Sequence, residues 1–346
     1  MPWQRGTLRC SVKPRLPWGV ERVKLGLQDD LLEPAESDRS APLTVSVVIP
    51  TRNRGSLIRE TLERLLAIDG SAMEIVVVDQ STNTETADIV AELSAHDGRL
   101  RLVPTETVGS SKARNVGCSS AAGDLVAYLD DDCMAEKGWL EAIIAEFQDR
   151  SVAAVFGRLT PYEQEQRNGT EVGLKASSER TEYTSPLPPW WVGHGGNMAF
   201  RRVDLLRLGG FDPLLSAGGV LQAGEDTDVA HRLLVRGRKI VYAPGAVAYH
   251  KHWKDWPAQK RMERSYGIGA GAQFAKYVRA GDLWGLRFFC AWVWQLGVRR
   301  MGAGLLKWRN PKVVYLGYCQ LLYPWIGLLR SSRYAIDRPH TVYVDG

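Results

Sequence analysis

Two apolar, β-branched runs separated by a helical pattern constrain the fold of this chain more than any other feature. Residues 45–49 (VSVVI) form the first run and residues 74–78 (EIVVV) form the second. An unbroken apolar run is typical of a strand that is buried on both faces, as in a parallel sheet. Between the runs, residues 57–68 carry leucine and isoleucine at helical spacing. The pattern therefore predicts a strand, a helix and a second, parallel strand.

The same alternation continues along the chain. A capping-box pattern at residues 82–85 precedes a predicted helix that ends near Ala95, and a short strand follows at residues 101–103. A further helix is predicted over residues 110–122 and an apolar strand over residues 125–129. Such alternation predicts an α/β fold with an open, doubly wound, Rossmann-like sheet that is mixed but mainly parallel. Its ligands are expected at the carboxyl ends of the strands.

Composition excludes several other classes of protein. The chain has 346 residues, of which 45% are hydrophobic and 24% charged, unlike disordered, collagen-like or polytopic membrane proteins. Its five cysteines are scattered without a Cys-x-x-Cys pair, so we expect neither a disulfide framework nor a thiolate zinc site. No P-loop and no dinucleotide-binding glycine motif follows the first strand. The first forty residues contain no apolar run of a secretory signal, so the expected location is the cytoplasm.

The charge is unevenly distributed along the chain. From Lys251 to the end there are 16 Lys and Arg against 5 Asp and Glu, although the net charge of the whole chain is only +5. Ten of the twelve tryptophans follow residue 138. We therefore expect three parts: an N-terminal extension (1–43) without an assigned role, a catalytic domain (44–252), and a helical, basic, Trp-rich C-terminal region (253–346). The polar stretch at residues 160–189 is expected to be a mobile loop or lid.

Three adjacent acids follow the predicted strand that ends at Leu129. Asp130, Asp131 and Asp132 repel one another, so a divalent cation would stabilise them. In extended chain Asp130 and Asp132 point to the same side and Asp131 points away. Carboxylate oxygens suit Mg²⁺ or Mn²⁺, which would also hold a diphosphate. The alternative is a solvated turn before the helix that starts near Gly138.

Other polar residues fall near the same predicted edge. Asp79 ends the second strand, where it would accept a hydrogen bond from a ribose hydroxyl or nucleobase, or else cap the turn at residues 81–82. Lys112 and Arg114 lie in the first turn of a helix, where they would meet phosphate, although surface exposure is the commoner role.

Two acids stand at the start of a later predicted helix. Glu225 and Asp226 occupy a helix N-terminus, where the macrodipole favours an ionised carboxylate that is ready to accept a proton. The alternative is an ordinary N-cap. His250 follows an apolar run and is either a metal ligand or a histidine that is merely packed or exposed. His194, His231 and His252 receive only the second interpretation.

The order of these motifs resembles the inverting GT-A-type glycosyltransferases of family 2. The resemblance extends from residue 45 to residue 252, about 60% of the chain, and its specificity lies in the order of the motifs. The matching segments are residues 47–54 (VVIPTRNR), 76–79 (VVVD), 113–117 (ARNVG), 128–132 (YLDDD), 195–202 (GGNMAFRR), 209–212 (GGFD), 224–228 (GEDTD) and 249–250 (YH).

The resemblance implies a GT-A-type sheet, a nucleotide-diphosphate sugar donor, a Mn²⁺ or Mg²⁺ cofactor and a role for each matching residue. Asp226 would be the general base, and Asp132, His250 and Asp130 the metal ligands. Gln80 departs from the small or acidic residue that often follows the second-strand aspartate. The residues expected to contact the donor, the metal or the acceptor region are Pro50, Thr51, Arg52, Asp79, Lys112, Arg114, Asp130, Asp131, Gly196, Asn197 and Glu225.

A nucleoside diphosphate is a good leaving group once a metal neutralises its charge, so the expected reaction needs no protein acid and only a base for the acceptor hydroxyl. The hydroxyl attacks opposite the diphosphate and thereby inverts the configuration of the anomeric carbon. The expected acceptor is a saccharide or a lipid-linked saccharide in cell-surface polysaccharide or glycolipid assembly. One alternative is a sugar nucleotidyltransferase, which would carry a Gly-rich basic loop in place of Pro50 to Asn53. Another is a non-catalytic binding or scaffold protein with the same fold. The donor sugar, the linkage and the oligomeric state are not predicted, and no nucleic-acid partner is expected.

The C-terminal region has two long uncharged segments, residues 288–298 and 313–329. The second barely reaches the length that spans a bilayer, and Pro324 interrupts it. Interleaved Trp, Tyr, Lys and Arg are typical of helices that lie in a membrane interface, which predicts a peripheral protein at the inner face of the cell membrane. A helical subdomain packed on the core or on a partner chain is the alternative.

Overall fold

The computed structural model describes residues 42–69, 73–162, 170–171, 175–251 and 253–344. The predicted N-terminal extension lies almost entirely outside the described residues, as does part of the predicted lid. The strands are β1 Val45–Thr51, β2 Met73–Asp79, β3 Leu100–Pro104, β4 Leu125–Leu129, β5 Cys133–Ala135, β6 Val152–Pro161, β7 Thr170–Glu171, β8 Thr181–Tyr183, β9 Asn197–Arg201, β10 Lys239–His250, β11 Trp253–Lys254, β12 Ala335–Asp337 and β13 Val342–Val344.

The helices alternate with these strands in the first part of the chain and dominate its last hundred residues. They are α1 Gly55–Leu66, α2 Glu85–Ser94, α3 Ser110–Ser120, α4 Trp139–Glu146, α5 Arg202–Arg207, α6 Glu225–Val235, α7 Trp256–Arg279, α8 Trp284–Trp292, α9 Arg299–Gly302 and α10 Pro311–Ser331. A 3₁₀ turn spans Pro189–Trp191. A π-helical segment at Val293–Val298 joins α8 to α9, and a second at Ala303–Lys307 extends α9, so that the three form a nearly continuous helix.

In the part of the chain that the structure describes, nine strands form one sheet in the order β3-β2-β1-β4-β9-β6-β10-β5, with β8 paired to β10. Strands β1, β2, β3, β4, β6 and β10 run in one direction, and β5, β8 and β9 run against them. The predicted doubly wound, mixed and mainly parallel sheet is therefore confirmed. The carboxyl ends of β1, β2, β4 and β10 meet at the edge where β9 begins.

Each face of the sheet has its own apolar core. Alternate residues of β1 divide between the faces: Val47 and Ile49 pack with α1, α2 and α4, whereas Val48 packs with α3, α5 and α6. Helix α3 approaches the sheet closely because Gly117 lies directly against Val48, where a Cβ atom would overlap. The β-branched run that predicted a strand buried on both faces thus describes β1 correctly.

One local prediction was wrong. The capping box at residues 82–85 does not form, because α2 begins at Glu85 with Thr84 as its N-cap residue. The backbone N–H of Thr82 instead donates to the side chain of Asn53, in the turn after β1, at 2.9 Å. The sequence pattern named the right helix but not its first residue.

The C-terminal region packs on the sheet domain through α7. Asp255 caps this helix by accepting a hydrogen bond from the backbone of Ala258, and Asn310 caps α10 in the same way. Gly327 of α10 lies against the backbone of Ile268 in α7, so the two helices cross at very short range. Within the described residues, no helix combines the length and the hydropathy that crossing a bilayer requires.

Candidate active site

A cavity of about 780 Å³ opens at the edge of the sheet where β1, β4 and β10 end. Its walls also include the start of α6 and the first half of α7. Among the predicted site residues, those that line it are Pro50, Thr51, Arg52, Arg114, Asp130, Asp131, Asp132, Gly196, Glu225, Asp226 and His250. Parallel strands thus bring residues from distant parts of the sequence to one place.

Asp132 is held between two basic side chains at the end of this cavity. Its Oδ2 accepts a hydrogen bond from Arg54 at 2.6 Å, and its Oδ1 lies 3.5 Å from Nε2 of His250. Burial opposes the charge of this carboxylate, but the hydrogen bond to His250 and the charges of His250 and Arg54 outweigh burial. Together they hold the pKa of Asp132 below its ordinary value.

Asp131 is buried beside Asp132 and does not point away as extended chain would require. Its Oδ1 pairs with the same Arg54 at 2.7 Å, and its Oδ2 accepts from the hydroxyl of Thr51 at 2.8 Å. Burial raises the pKa of Asp131 to about 7, although the charge of Arg54 opposes the shift. One guanidinium group therefore bridges two of the three adjacent acids.

Asp130 and Asp132 line the same cavity but have different partners. The chain turns after β4, where the N–H of Cys133 donates to the carbonyl of Asp130 at 3.0 Å, so the side chains of this segment no longer alternate. Asp130 instead pairs with Arg114 at 3.1 Å. The contact of Asp130 with a metal shared with Asp132 stays a prediction.

Ligand atoms of Asp132, Cys133 and His250 lie within 4.8 Å of one another. The grouping follows from the antiparallel pairing of β5 and β10, which sets His250 opposite Cys133. Burial raises the pKa of the Cys133 thiol well above its ordinary value, so it is protonated and poorly suited to a hard cation. A carboxylate oxygen and an imidazole nitrogen remain. The oxygen suits Mn²⁺ or Mg²⁺, and the nitrogen favours Mn²⁺ of the two.

Asp226 faces the cavity from the first turn of α6. That helix starts after Gly224, whose φ of 104° favours glycine. The backbone N–H of Gly195 donates to Oδ2 of Asp226 at 2.8 Å, and the N–H of Thr227 donates to its Oδ1 at 2.8 Å. The carboxylate is thereby fixed in orientation against the segment that leads into β9.

Arg114 lines the cavity, but its side chain is almost entirely buried. Its side chain is 4% exposed and pairs with Glu225 at 2.8 Å as well as with Asp130. Burial opposes its charge, but the charges of Asp130, Glu225 and Asp226 raise the pKa of Arg114. Carboxylates thus bind both terminal nitrogens of the guanidinium, and the phosphate contact of Arg114 stays a prediction. The residue instead links α3 to α6 and to the end of β4.

Three predicted site residues do not line the cavity. Asp79 accepts from the N–H of Ser81 at 2.9 Å, which is the turn-capping alternative. The side chain of Lys112 is half-buried and lies outside the cavity lining. The amide of Asn197 is buried and fully engaged: its Oδ1 accepts from the indole of Trp139 at 2.9 Å and its Nδ2 donates to two carbonyls. Asn197 therefore fixes β9 and does not face a substrate.

Several lining residues lacked a role in the sequence analysis. Arg54 belongs to the VVIPTRNR segment. It lies three residues after β1, at the ligand edge of the sheet, and this position could have identified it as a site residue. Burial lowers the pKa of His194, whose imidazole is therefore neutral at pH 7 and lines the cavity. Met262, Ser265 and Tyr266 of α7 complete one wall, although the sequence placed this helix outside the catalytic domain.

Residues 46–209 match the family model described as glycosyl transferase family 2. The chain is 30% identical to the pre-mycofactocin glycosyltransferase of Mycobacterium tuberculosis (strain CDC 1551 / Oshkosh) over 285 residues, 79% of this chain and 57% of that protein. It is 26% identical to the probable glycosyltransferase YdaM of Bacillus subtilis (strain 168) over 272 residues, 71% of this chain and 61% of that protein. The chain thus spans about three fifths of the length of these curated relatives.

The fold also has a solved counterpart. The mannosyltransferase PcManGT from Pyrobaculum calidifontis, solved in complex with GDP-Man and Mn²⁺, superposes with a TM-score of 0.57 and 20% identity. The alignment covers 83% of this chain and 88% of that one. The α/β fold of the present chain is therefore that of GT-A glycosyltransferases.

Proposed function

We propose that this chain is a glycosyltransferase that moves a sugar from a nucleotide-diphosphate donor to a hydroxyl group of an acceptor, with inversion at the anomeric carbon. One observation carries the proposal: a carboxylate–imidazole pair, Asp132 and His250, and a separately oriented carboxylate, Asp226, line the same cavity. The family-2 match and the glycosyltransferase relatives support the class of reaction.

The donor is proposed to lie along the carboxyl ends of β1 and β4. Pro50, Thr51 and Arg52 line the cavity there and offer an apolar ring, a hydroxyl and a guanidinium to a nucleoside. The structural neighbour was solved with GDP-Man, which supports a nucleotide sugar as the donor class. Gln80 also lines this end of the cavity.

Asp132 and His250 are the residues proposed to hold a divalent cation, Mn²⁺ or Mg²⁺. Their oxygen and nitrogen atoms are of the type that these ions accept, and both line the cavity. A bound dication neutralises the diphosphate and so makes it a better leaving group. Arg54 holds Asp132 from the opposite side and fixes its orientation.

Asp226 is proposed to be the general base. Its two backbone hydrogen bonds, from Gly195 and Thr227, fix the carboxylate while it still faces the cavity. As the acceptor oxygen forms its bond to the anomeric carbon, the bond from that carbon to the diphosphate breaks and the hydroxyl proton passes to Asp226. One base suffices because the diphosphate leaves without a protein acid.

The proposed acceptor is a saccharide or lipid-linked saccharide in cell-surface polysaccharide or glycolipid assembly, at the inner face of the cell membrane. Two features support this part of the proposal. The C-terminal region is basic and rich in tryptophan, as in proteins that meet a membrane surface. Helix α7 of that same region forms a wall of the cavity through Met262, Ser265 and Tyr266.

Release of nucleoside diphosphate from a panel of nucleotide sugars, with Mn²⁺ and a lipid-extract acceptor, tests the proposal. We expect the Asp226→Asn variant to bind the donor as the wild type does but to transfer sugar roughly a hundredfold or more slowly, the contribution typical of a general base. Asp88→Asn, an exposed carboxylate on α2, is the matched control. Transfer by Asp226→Asn at the wild-type rate would remove Asp226 from the role.

A further inference from the structure

The C-terminal region contains a helical hairpin, defined here as residues 284–331. Its first arm is the nearly continuous helix of residues 284–307, and its second arm is α10. The arms are antiparallel: Gly304 packs against the backbone of Val314 near the turn, and Phe289 contacts Trp325 near the base, with ring centroids 4.8 Å apart. The hairpin therefore has one side packed against α7 and one side turned outward.

The outward side of α10 is apolar. Tyr318, Leu322, Trp325 and Leu329 recur at the spacing of one helix face, and all four side chains are exposed. The opposite face of α10 is buried against α7 and carries small residues such as Gly327. The exposed stripe is thus a second apolar face that packing on α7 does not use.

The first arm and the turn continue this surface. Leu286, Trp294 and Val298 are exposed along the first arm. At the turn Leu306 is 85% exposed and Trp308 is 49% exposed. Large apolar side chains concentrated in this way on a surface indicate an interaction site rather than the scattered exposure of an ordinary surface.

The charge of this region has a single sign. The segment from residue 283 to residue 336 contains eight Arg and Lys and no Asp or Glu. Lys307 and Arg309 flank Trp308 at the turn, and Lys312 follows in the first turn of α10; all three basic residues are exposed. Exposed basic groups interleaved with exposed Trp and Leu complement an anionic, partly apolar surface.

We propose that the outward face of the hairpin docks on an anionic lipid bilayer, with Leu306 and Trp308 entering the interface and Lys307 and Arg309 meeting lipid headgroups. A second copy of this chain fits less well, because a symmetric pairing through this face would bring the same basic residues together without acidic partners. The inference rests on exposure and charge in the hairpin and does not depend on the proposed transfer reaction.

Co-sedimentation of the full chain with vesicles tests the inference. Vesicles of phosphatidylcholine with phosphatidylglycerol are compared with vesicles of phosphatidylcholine alone, at low and high salt. We expect binding to the anionic vesicles that weakens with salt. The double variant Lys307→Gln, Arg309→Gln should bind them about 25-fold more weakly, since each basic residue near a charged leaflet contributes about fivefold. Its control is Arg64→Gln, Lys137→Gln on the sheet domain.

The apolar contribution is tested separately. Leu306→Gln should weaken vesicle binding about tenfold, because burying a leucine side chain contributes at least that much. Leu206→Gln, an exposed leucine on α5, should leave binding unchanged. Both leucines are exposed, so thermal unfolding should report an intact fold in each variant.

Three results would overturn the inference. The first is failure of the wild type to bind anionic vesicles, and the second is equal binding by the hairpin variants and their controls. The third is a concentration-dependent dimer in light scattering that the Leu306→Gln variant abolishes, which would assign the face to a second copy. The inference makes specific the membrane location in the proposed function, but none of these measurements involves sugar transfer, so their failure and the failure of the proposed transfer reaction are distinguishable.

Discussion

Nζ of Lys276, in α7, lies 2.6 Å from Oδ2 of Asp212, in the Gly-Gly-Phe-Asp segment of the sheet domain, and both side chains are fully buried. The same ammonium group lies 2.8 Å from Oδ1 of Asp228 in α6. The N–H of Tyr343, in β13, also donates to Asp212 at 2.8 Å. The C-terminal region is therefore fastened to the sheet domain by a buried ionic network and not by apolar packing alone.

Replacement of Lys276 by methionine should destabilise the protein strongly. The methionine would fill much of the same volume but would leave Asp212 and Asp228 buried without their cation, a loss of about 3–5 kcal/mol in the free energy of unfolding. Urea denaturation measures this loss. Lys137→Met, at an exposed position, should change the free energy by less than about 0.5 kcal/mol. A similar small change for Lys276→Met would show that the network does not stabilise the fold.

Stability should fall in acid partly through Asp228. Burial opposes its charge, but Arg232, 2.8 Å away, and Lys276 outweigh burial and hold the pKa of Asp228 below its ordinary value. A carboxylate with a lowered folded-state pKa contributes stability above its unfolded pKa of about 4, and that contribution is lost as the pH falls through the folded pKa. Urea denaturation from pH 6 downward should therefore show a shallower decline in Asp228→Asn. An unchanged slope would contradict this assignment.

The crossing of α7 and α10 should tolerate no side chain at Gly327. A Cβ atom there would overlap the carbonyl oxygen of Ile268, so Gly327→Ala should lower the free energy of unfolding by about 1–3 kcal/mol. Gly302, in α9, faces open space, and Gly302→Ala should stabilise the helix by about 0.5–1 kcal/mol. Thermal unfolding of the two variants checks the opposite signs. Equal changes in the two variants would show that the close approach of α7 and α10 at Gly327 does not contribute to stability.

Mn²⁺ binding should depend on Asp132 and His250 but not on their neighbour Cys133. Asp132→Asn and His250→Gln should each weaken binding roughly tenfold or more, as loss of even an outer partner of a metal site does. Cys133→Ala should leave the affinity unchanged, because a buried, protonated thiol is a poor ligand for this ion. Electron paramagnetic resonance of free Mn²⁺ measures all three affinities. A large loss of Mn²⁺ affinity in Cys133→Ala, with none in the other two variants, would show that the thiol binds the ion and Asp132 and His250 do not.

The sheet could be predicted from the sequence because its central strands are buried on both faces. Such strands need unbroken apolar runs, and the runs at β1, β2 and β4 have few other structural interpretations. The same logic placed Asp132 and His250 at one edge, since strand ends meet there, whereas Asp226, at the start of α6, was identified through the helix N-terminus and the family resemblance. Helix starts were harder to predict. The capping box expected at residues 82–85 does not form, because the N–H of Thr82 donates to the side chain of Asn53 instead.

Side-chain directions at the site could not be predicted because they depend on turns and on distant partners. Asp130 and Asp132 were expected on one side because side chains alternate in extended chain, but the chain turns after β4 and the alternation ends there. Arg114 appeared free for phosphate, since its partner Glu225 lies 111 residues away in the chain. Asn197 matches a family segment, yet its amide is held by Trp139 and two carbonyls. Sequence spacing carries no information about such long-range pairs.

Helix α7 has a consequence for how proteins with this sheet could diversify. Its first half walls the cavity through Met262, Ser265 and Tyr266, while Lys276 in its second half anchors it. The helix lies beyond the 46–209 segment that matches the family model. A different helix could therefore form this wall while the strand-end motifs stay unaltered, so that chains with identical motifs enclose cavities of different shape.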